Sequence, residues 1–172
     1  LDRNHPAYAL MNEGKTYVGR ASLFGREYMS VYEPIREGNR TIGILYIGSD
    51  IGAILGKLET AMAAQKLFTS GAVYAVNLSS GPARGSVFGL PGAGKSLKVD
   101  EKDDDAKTWL ASLAAIEQAG NLESKWSPRR SAEGDRATRF VAIERYKPWS
   151  WAIVAEAPLT EMMGEARYVL TW

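Results

Sequence analysis

Three short runs rich in β-branched and aromatic residues, 16–22, 26–33 and 41–47, open the chain, and Gly25 and then Pro34 with Gly38-Asn39 separate them. That punctuation predicts an antiparallel meander. Alternation in the second run sets Arg26, Tyr28, Ser30 and Tyr32 on one face, with Met29 and Val31 on the other. The period then changes. Ser49-Asp50 can cap a helix whose apolar positions Ile51, Ile54, Leu55, Leu58 and Met62 fall at spacings of three, four and seven, which predicts a buried stripe running to about residue 65. Strands are expected at 72–78 and 86–90 around a turn at Ser79-Ser80-Gly81-Pro82. A second helix starts at the acidic cap Asp103 to Asp105, carries Trp109, Leu110, Leu113 and Ile116, and is expected to stop at Gly120.

Strands at 122–127, 138–147 and 149–157 follow, with Pro148 as a tight break between the last two. Two residues apart on one strand, Trp149 and Trp151 should point to one side of the sheet, into the core or a pocket. A closing helix begins near Pro158 and Thr160 and lines up Met162, Met163, Ala166, Val169 and Leu170. The order strand, strand, helix, three strands is an α+β arrangement, antiparallel sheets flanked by helices. The reading divides the chain into residues 1–50, a connecting helix 51–66, a second lobe 67–158 and an exit helix 159–172. The exit helix is expected to continue past Trp172 toward a span of about 20 apolar residues, since its stripe is still running there.

Composition adds mainly exclusions. Apolar residues make up 45% and charged residues 24%, an ordinary globular balance, and a net charge of +1 offers no basic field for nucleic acid. Without cysteine there are no disulfides and no thiolate chemistry. His5 is the sole histidine and is expected at the surface or in a loop, which leaves metal or triad chemistry little to work with. Glu117, Glu123 and Glu144 share no motif and are expected to be solvated.

One motif points elsewhere. Residues 89–96, Gly-Leu-Pro-Gly-Ala-Gly-Lys-Ser, match the phosphate-binding loop pattern. Its mechanism needs a helix directly after the lysine, packed on a parallel sheet. Residues 97–105 hold two apolar residues and five acids, so a helix there would bury nothing and would repel a triphosphate. The segment is expected to be a glycine-rich hairpin loop, with Lys95→Ala silent.

Arginine interleaved with aromatics is the more informative pattern: Tyr17, Arg20, Phe24, Arg26, Tyr28, Tyr32 and Tyr46 early, then Trp126, Arg139, Tyr146, Trp149 and Trp151 late. Aromatics on strands are mostly core. An arginine fork beside tyrosine hydroxyls and indole N–H groups, however, also suits a small anion. The first expectation places the carboxylate of a small organic acid on Arg26, helped by Tyr28 and Arg20, within walls of Phe24 and Tyr46 beside Tyr32. The premise is a buried arginine with no acid on its own face of the strand. Trp126, Arg139 and Tyr146 form the reserve site. No catalytic residue and no cofactor is implied.

The residues also carry a resemblance. Gly19-Arg20-Ala-Ser-Leu-Phe-Gly25-Arg26-Glu-Tyr28 onward to Pro34-Ile35, with Ile42-Gly43-Ile-Leu-Tyr-Ile-Gly48, resembles the first-lobe signature of PAS-like Cache sensor domains of methyl-accepting chemotaxis proteins. Phe140 to Ile153 resembles the strand pair that ends such a module. The resemblance implies the periplasmic, ligand-binding part of an inner-membrane chemoreceptor that binds a small carboxylate or similar solute. It also implies a homodimer in the full receptor, tethered to the membrane by flanking helices. The long N-terminal helix and first strands of the family are missing before Leu1, so the first lobe reads as incomplete there. Where relatives often show a His-Pro pair, this chain has Leu90-Pro91. A histidine-kinase sensor module and a ligand-free dimerisation module remain the alternatives.

Overall fold

A computed structural model describes residues 2–3, 5, 7–80, 83–92, 97–129 and 137–169. The chain divides into two compact units, Leu1–Lys57 with Ser80–Pro82, and Leu58–Ser79 with Ala83–Trp172. The division falls inside helix α2, Gly52–Ala63.

In the first unit a five-residue helix α1, Tyr8–Asn12, precedes the expected meander of β1 (Tyr17–Leu23), β2 (Arg26–Glu37) and β3 (Arg40–Asp50). The pairing is antiparallel and sets Tyr17, Tyr32 and Tyr46 in one cross-strand row. Ala7 and Met11 bury themselves against Ala21 and Tyr32 on that face. Helix α1 escapes the sequence pattern because it is barely one turn long. Phe24 and Gly25 form the two-residue β1–β2 loop, both at positive φ (54° and 74°), as in a type I′ turn.

The second unit holds a five-stranded antiparallel sheet in the order β5-β4-β8-β7-β6. Its strands are β4 (Ala72–Asn77), β5 (Val87–Phe88), β6 (Ala119–Ser124), β7 (Arg139–Tyr146) and β8 (Trp151–Pro158). Helix α3, Asp104–Ala115, covers one face and buries Trp109, Leu110 and Leu113 against Tyr74, Val76, Val141, Ile143 and Val154. Asp103 caps α3 by accepting from the amides of Asp105 and Ala106. Arg145 of β7 donates to the carbonyls of Leu113 and Ala114 at the helix's other end (3.3 and 3.4 Å). A last helix α4, Leu159–Val169, follows β8.

Two expectations need correction. Helix α3 ends at Ile116, whose backbone is extended, and Gly120 lies inside β6 rather than stopping the helix. Trp149 is not on the strand with Trp151: Pro148 seeds a 3-10 turn over Lys147–Trp149, and Ser150 turns left-handed (φ 52°) before β8 begins. The two rings still pack edge to face at 4.9 Å, and Phe88 stacks on Trp151 at 4.9 Å. By alternation they occupy the sheet face opposite α3, away from the main core.

The phosphate-loop reading fails structurally. The strand before it, β5, is two residues long and antiparallel to β4, and among the described residues the next helix starts only at Asp104. Lys95 and its neighbours 93–96 lie outside the described residues, as do Gly81, Pro82 and Leu170 and the side chains of Ala166 and Val169. Leu90 is buried in the core of this unit. Among the described residues no helix is long and apolar enough to cross a membrane.

Candidate functional site

In the first unit the expected site residues separate. Arg26 is the first residue of β2, its side chain 70% exposed, and it pairs with Asp50 of β3 at 3.3 Å. This overturns the premise of burial; no acid shares its face of β2, as expected, and the acid that meets it comes from the neighbouring strand. Arg20 pairs with Glu27 at 2.8 Å on the opposite face, because Ala21, not Arg20, lies across from Tyr28. Phe24 is fully exposed, thrown outward by the left-handed turn, and walls nothing.

Tyr32 and Tyr46 do meet, with ring centroids 4.9 Å apart, and the Ser30 hydroxyl donates to the Tyr46 oxygen at 3.5 Å. Tyr28 is half-buried on the same face. His5 is half-buried too: its Nδ1 accepts from the Ala7 amide at 3.1 Å and its Nε2 lies 3.2 Å from the Tyr32 hydroxyl. Burial lowers the His5 pKa.

The second unit also splits its expected trio. Arg139 opens β7 on the α3 side of the sheet, while Tyr146 ends the same strand on the opposite face, roughly 23 Å away at about 3.3 Å per residue. Tyr146 is exposed and meets Trp149 edge to face. Trp126 stays near the Arg139 end, since Ser124 pairs with Arg139 in register. Its ring packs on Trp109 at 4.8 Å and its indole N–H donates to Asp103 (3.2 Å).

At Arg139 the structure assembles a group that the arginine–aromatic pattern missed. Glu156 of β8 is buried, diagonally across from Tyr74 of β4. Its Oε2 accepts from the Tyr74 hydroxyl at 3.0 Å and its Oε1 from the Ser127 hydroxyl at 2.5 Å. Arg139 Nη1 stands 3.8 Å from Oε1, with the two side chains 9% and 0% exposed.

Local sequence explains each placement. Glu156 shares a face with Ala152, Val154 and Pro158, all buried, so alternation carries it into the core. Ser127 arrives because β6 stops at Ser124, whose hydroxyl bonds both the N–H and the C=O of Trp126 and turns the chain inward. Burial raises the Glu156 pKa, opposed by the hydrogen bond from Ser127, the charge of Arg139 and the bond from Tyr74. Burial and the neighbouring carboxylate push the Tyr74 phenol well above its usual value.

The sequence signal for it is a lone acid inside an apolar strand. Such a residue is rarely fully buried without partners, and Tyr74 in the run 72–77 was available to supply one. Chemically, the group offers two hydroxyls, one guanidinium and a carboxyl whose pKa burial raises, with Glu156 and Arg139 both buried. Among the described residues no three His, Asp or Glu side chains come together to hold a metal ion.

The fold has known counterparts. The extracellular domain of mmHK1S-Z3, described as a histidine kinase, matches with a TM-score of 0.60 at 16% identity over 96% of this chain and 56% of that one. The corresponding domain of mmHK1S-Z2, described likewise, gives 0.58 at 17% over 94% and 57%. The periplasmic sensory domain of the Campylobacter jejuni chemoreceptor Tlp1 gives 0.52 at 16% over 92% and 56%. The chain thus spans little more than half the length of each. No curated protein matches it in sequence. The family described as the Cache 3/Cache 2 fusion domain matches residues 1–171, and the chain belongs to that family.

Proposed function

We propose that this chain is an extracytoplasmic sensor module that binds a small organic acid or similar solute. Its signal would leave through α4 toward a membrane-embedded chemoreceptor or histidine kinase, with the full receptor a homodimer. Both outputs have structural counterparts, in Tlp1 and in the two mmHK1S domains. The observation that carries the ligand reading is the buried group of Tyr74, Ser127, Arg139 and Glu156. The Arg139 guanidinium can donate to an incoming carboxylate, and two hydroxyls adjust to either role. The proposed site therefore moves from Arg26 to Arg139.

Thermal shift against a panel of small organic acids, with magnesium-ATP as the contrasting ligand, tests this. A ligand present at 100 times its dissociation constant adds about 2.7 kcal/mol. Stabilisation by at least one acid and none by magnesium-ATP is expected. Losing one partner of a desolvated charged contact costs about 2 to 5 kcal/mol of binding, so Arg139→Ala should abolish the shift while Arg26→Ala retains it. Ser127→Ala, a milder change, should weaken the response without unfolding the unit. Full acid binding by the Arg139 and Ser127 variants alike would remove the site from this group.

A further inference from the structure

We propose that the buried Glu156 group is wired to the first turn of α4 through Ser127, Arg129, Ser70 and Glu161, so that a change at the site loosens or tightens the exit helix. The proposal rests on the binding site argued above and adds its route of output.

Each link is a discrete hydrogen bond. The Ser127 hydroxyl donates to Glu156 Oε1 while its oxygen accepts from the Arg129 amide at 3.1 Å. The Arg129 guanidinium donates to the Ser70 carbonyl. Ser70 then gives its hydroxyl to Glu161 Oε1 (2.6 Å), and the amides of Thr69 and Ser70 give theirs to Oε2 (3.0 and 3.1 Å). Glu161 is the third residue of α4.

The turn in the middle is tightly closed where it meets β4. Its ends close through the Gly71 amide on the Leu67 carbonyl at 2.8 Å, and Phe68 is left-handed (φ 53°). A Cβ on Gly71 would sit 2.4 Å from the Leu67 carbonyl oxygen and 2.7 Å from that of Glu156 itself. Tightly packed elements pass a shift on as a step rather than deforming. Arg129 joins both sides of this path, its backbone toward Glu156 and its side chain toward the turn. Any solute that competes for the Ser127 hydroxyl therefore pulls on the Ser70 carbonyl.

Amide hydrogen exchange at Thr69 and Ser70, read without ligand in the whole chain, tests the wiring. Ser127→Ala is expected to speed exchange there by about tenfold, as local opening becomes easier. Glu161→Ala should do the same, and the double variant should exchange no faster than Glu161→Ala alone, because neighbours in one network are not additive. Tyr74→Phe removes the other bond to the same carboxylate but lies off the path, so it should leave these two amides unchanged. Unchanged exchange in Ser127→Ala, multiplicative effects in the double variant, or an equal rise in Tyr74→Phe each overturns the proposal. Coupling seen without any acid binding leaves the wiring and removes the ligand reading; acid binding without coupling removes the wiring.

Discussion

The chain builds the same motif twice, a three-stranded meander followed by a helix, and gives the two copies different chemistry. In β1-β2-β3-α2 the second strand opens with Arg26, and the third ends at Asp50, its ion-pair partner. In β6-β7-β8-α4 the second strand opens with Arg139, and its partner Glu156 lies two residues from the end of the third. The first pair is 70% and 43% exposed, the second 9% and 0%. What differs is the covering of the third strand. Strand β8 takes β4 on its free edge over six residue pairs and lies under α3, whereas β3, among the described residues, pairs only with β2 and is exposed almost throughout. Surroundings, not residue types, turn one arginine–acid pair into a desolvated group and leave the other a surface contact.

The largest expected difference is in stability. Breaking a buried pair by removing one partner costs about 3–5 kcal/mol, while an exposed pair is worth about 0–1 kcal/mol. Urea denaturation of Arg139→Ala should show the larger loss, and Arg26→Ala should be nearly neutral. Comparable losses in the two variants would break the comparison.

Next come the hydroxyls. Tyr74→Phe removes a bond to a buried carboxylate and should cost about 1.5–3 kcal/mol, the range for hydrogen bonds to charged groups. The contact of Tyr46 with Ser30 is 3.5 Å long on a partly exposed ring, so Tyr46→Phe should leave the denaturation midpoint where it was. A smaller gain is expected from the turn. Phe24 occupies a left-handed position that Asn tolerates better, so Phe24→Asn should stabilise the first unit by up to about 1 kcal/mol. A loss there would mean that the exposed ring has a partner.

The sequence shows the strands well because their signals are local. Alternation and turn residues mark all eight strands with their ends within four residues, an ordinary boundary error. β5 was placed correctly but proved two residues long against an expected five. The errors came where a local signal was overruled by something the pattern does not encode. Trp149 reads as a strand residue, but Pro148 at the start of a 3-10 turn removes it. Gly120 reads as a helix stop, yet the last carbonyls of α3 already have Arg145 from β7.

The site was less legible for a related reason. Arg26 and Arg139 each open a strand, and which one is buried depends on β4 and α3, distant in sequence from both meanders. Glu156 and Ser127 contribute no arginine fork or aromatic ring, so their residue types do not mark them as partners of Arg139. Their positions become visible only when β4, β8 and the turn after β6 are brought together.

The subtlest effect distinguishes two glutamates five residues apart, both close enough to Arg139 for its charge to lower their pKa. Burial raises the Glu156 pKa above the usual 4.5, against the pull of Ser127, Arg139, Tyr74 and Arg129. A carboxyl raised in the fold contributes its stability below pH 4.5 and loses it as pH climbs through the folded value. Glu161 is the reverse: hydrogen bonds from the Ser70 hydroxyl and the Ser70 and Thr69 amides, with Arg139 nearby, lower its pKa. Its contribution is present above pH 4.5 and fades as pH falls through its folded value. Denaturation midpoints of the parent chain, Glu156→Gln and Glu161→Gln across pH 3 to 7 separate the two. The parent should lose ground to Glu156→Gln as pH rises above about 4.5, and lose its advantage over Glu161→Gln as pH falls below it, the crossover following the usual carboxylate value. Parallel curves for the parent and Glu156→Gln would mean that Glu156 titrates like a solvated acid, and the buried group would then no longer differ in kind from the exposed pair in the first unit.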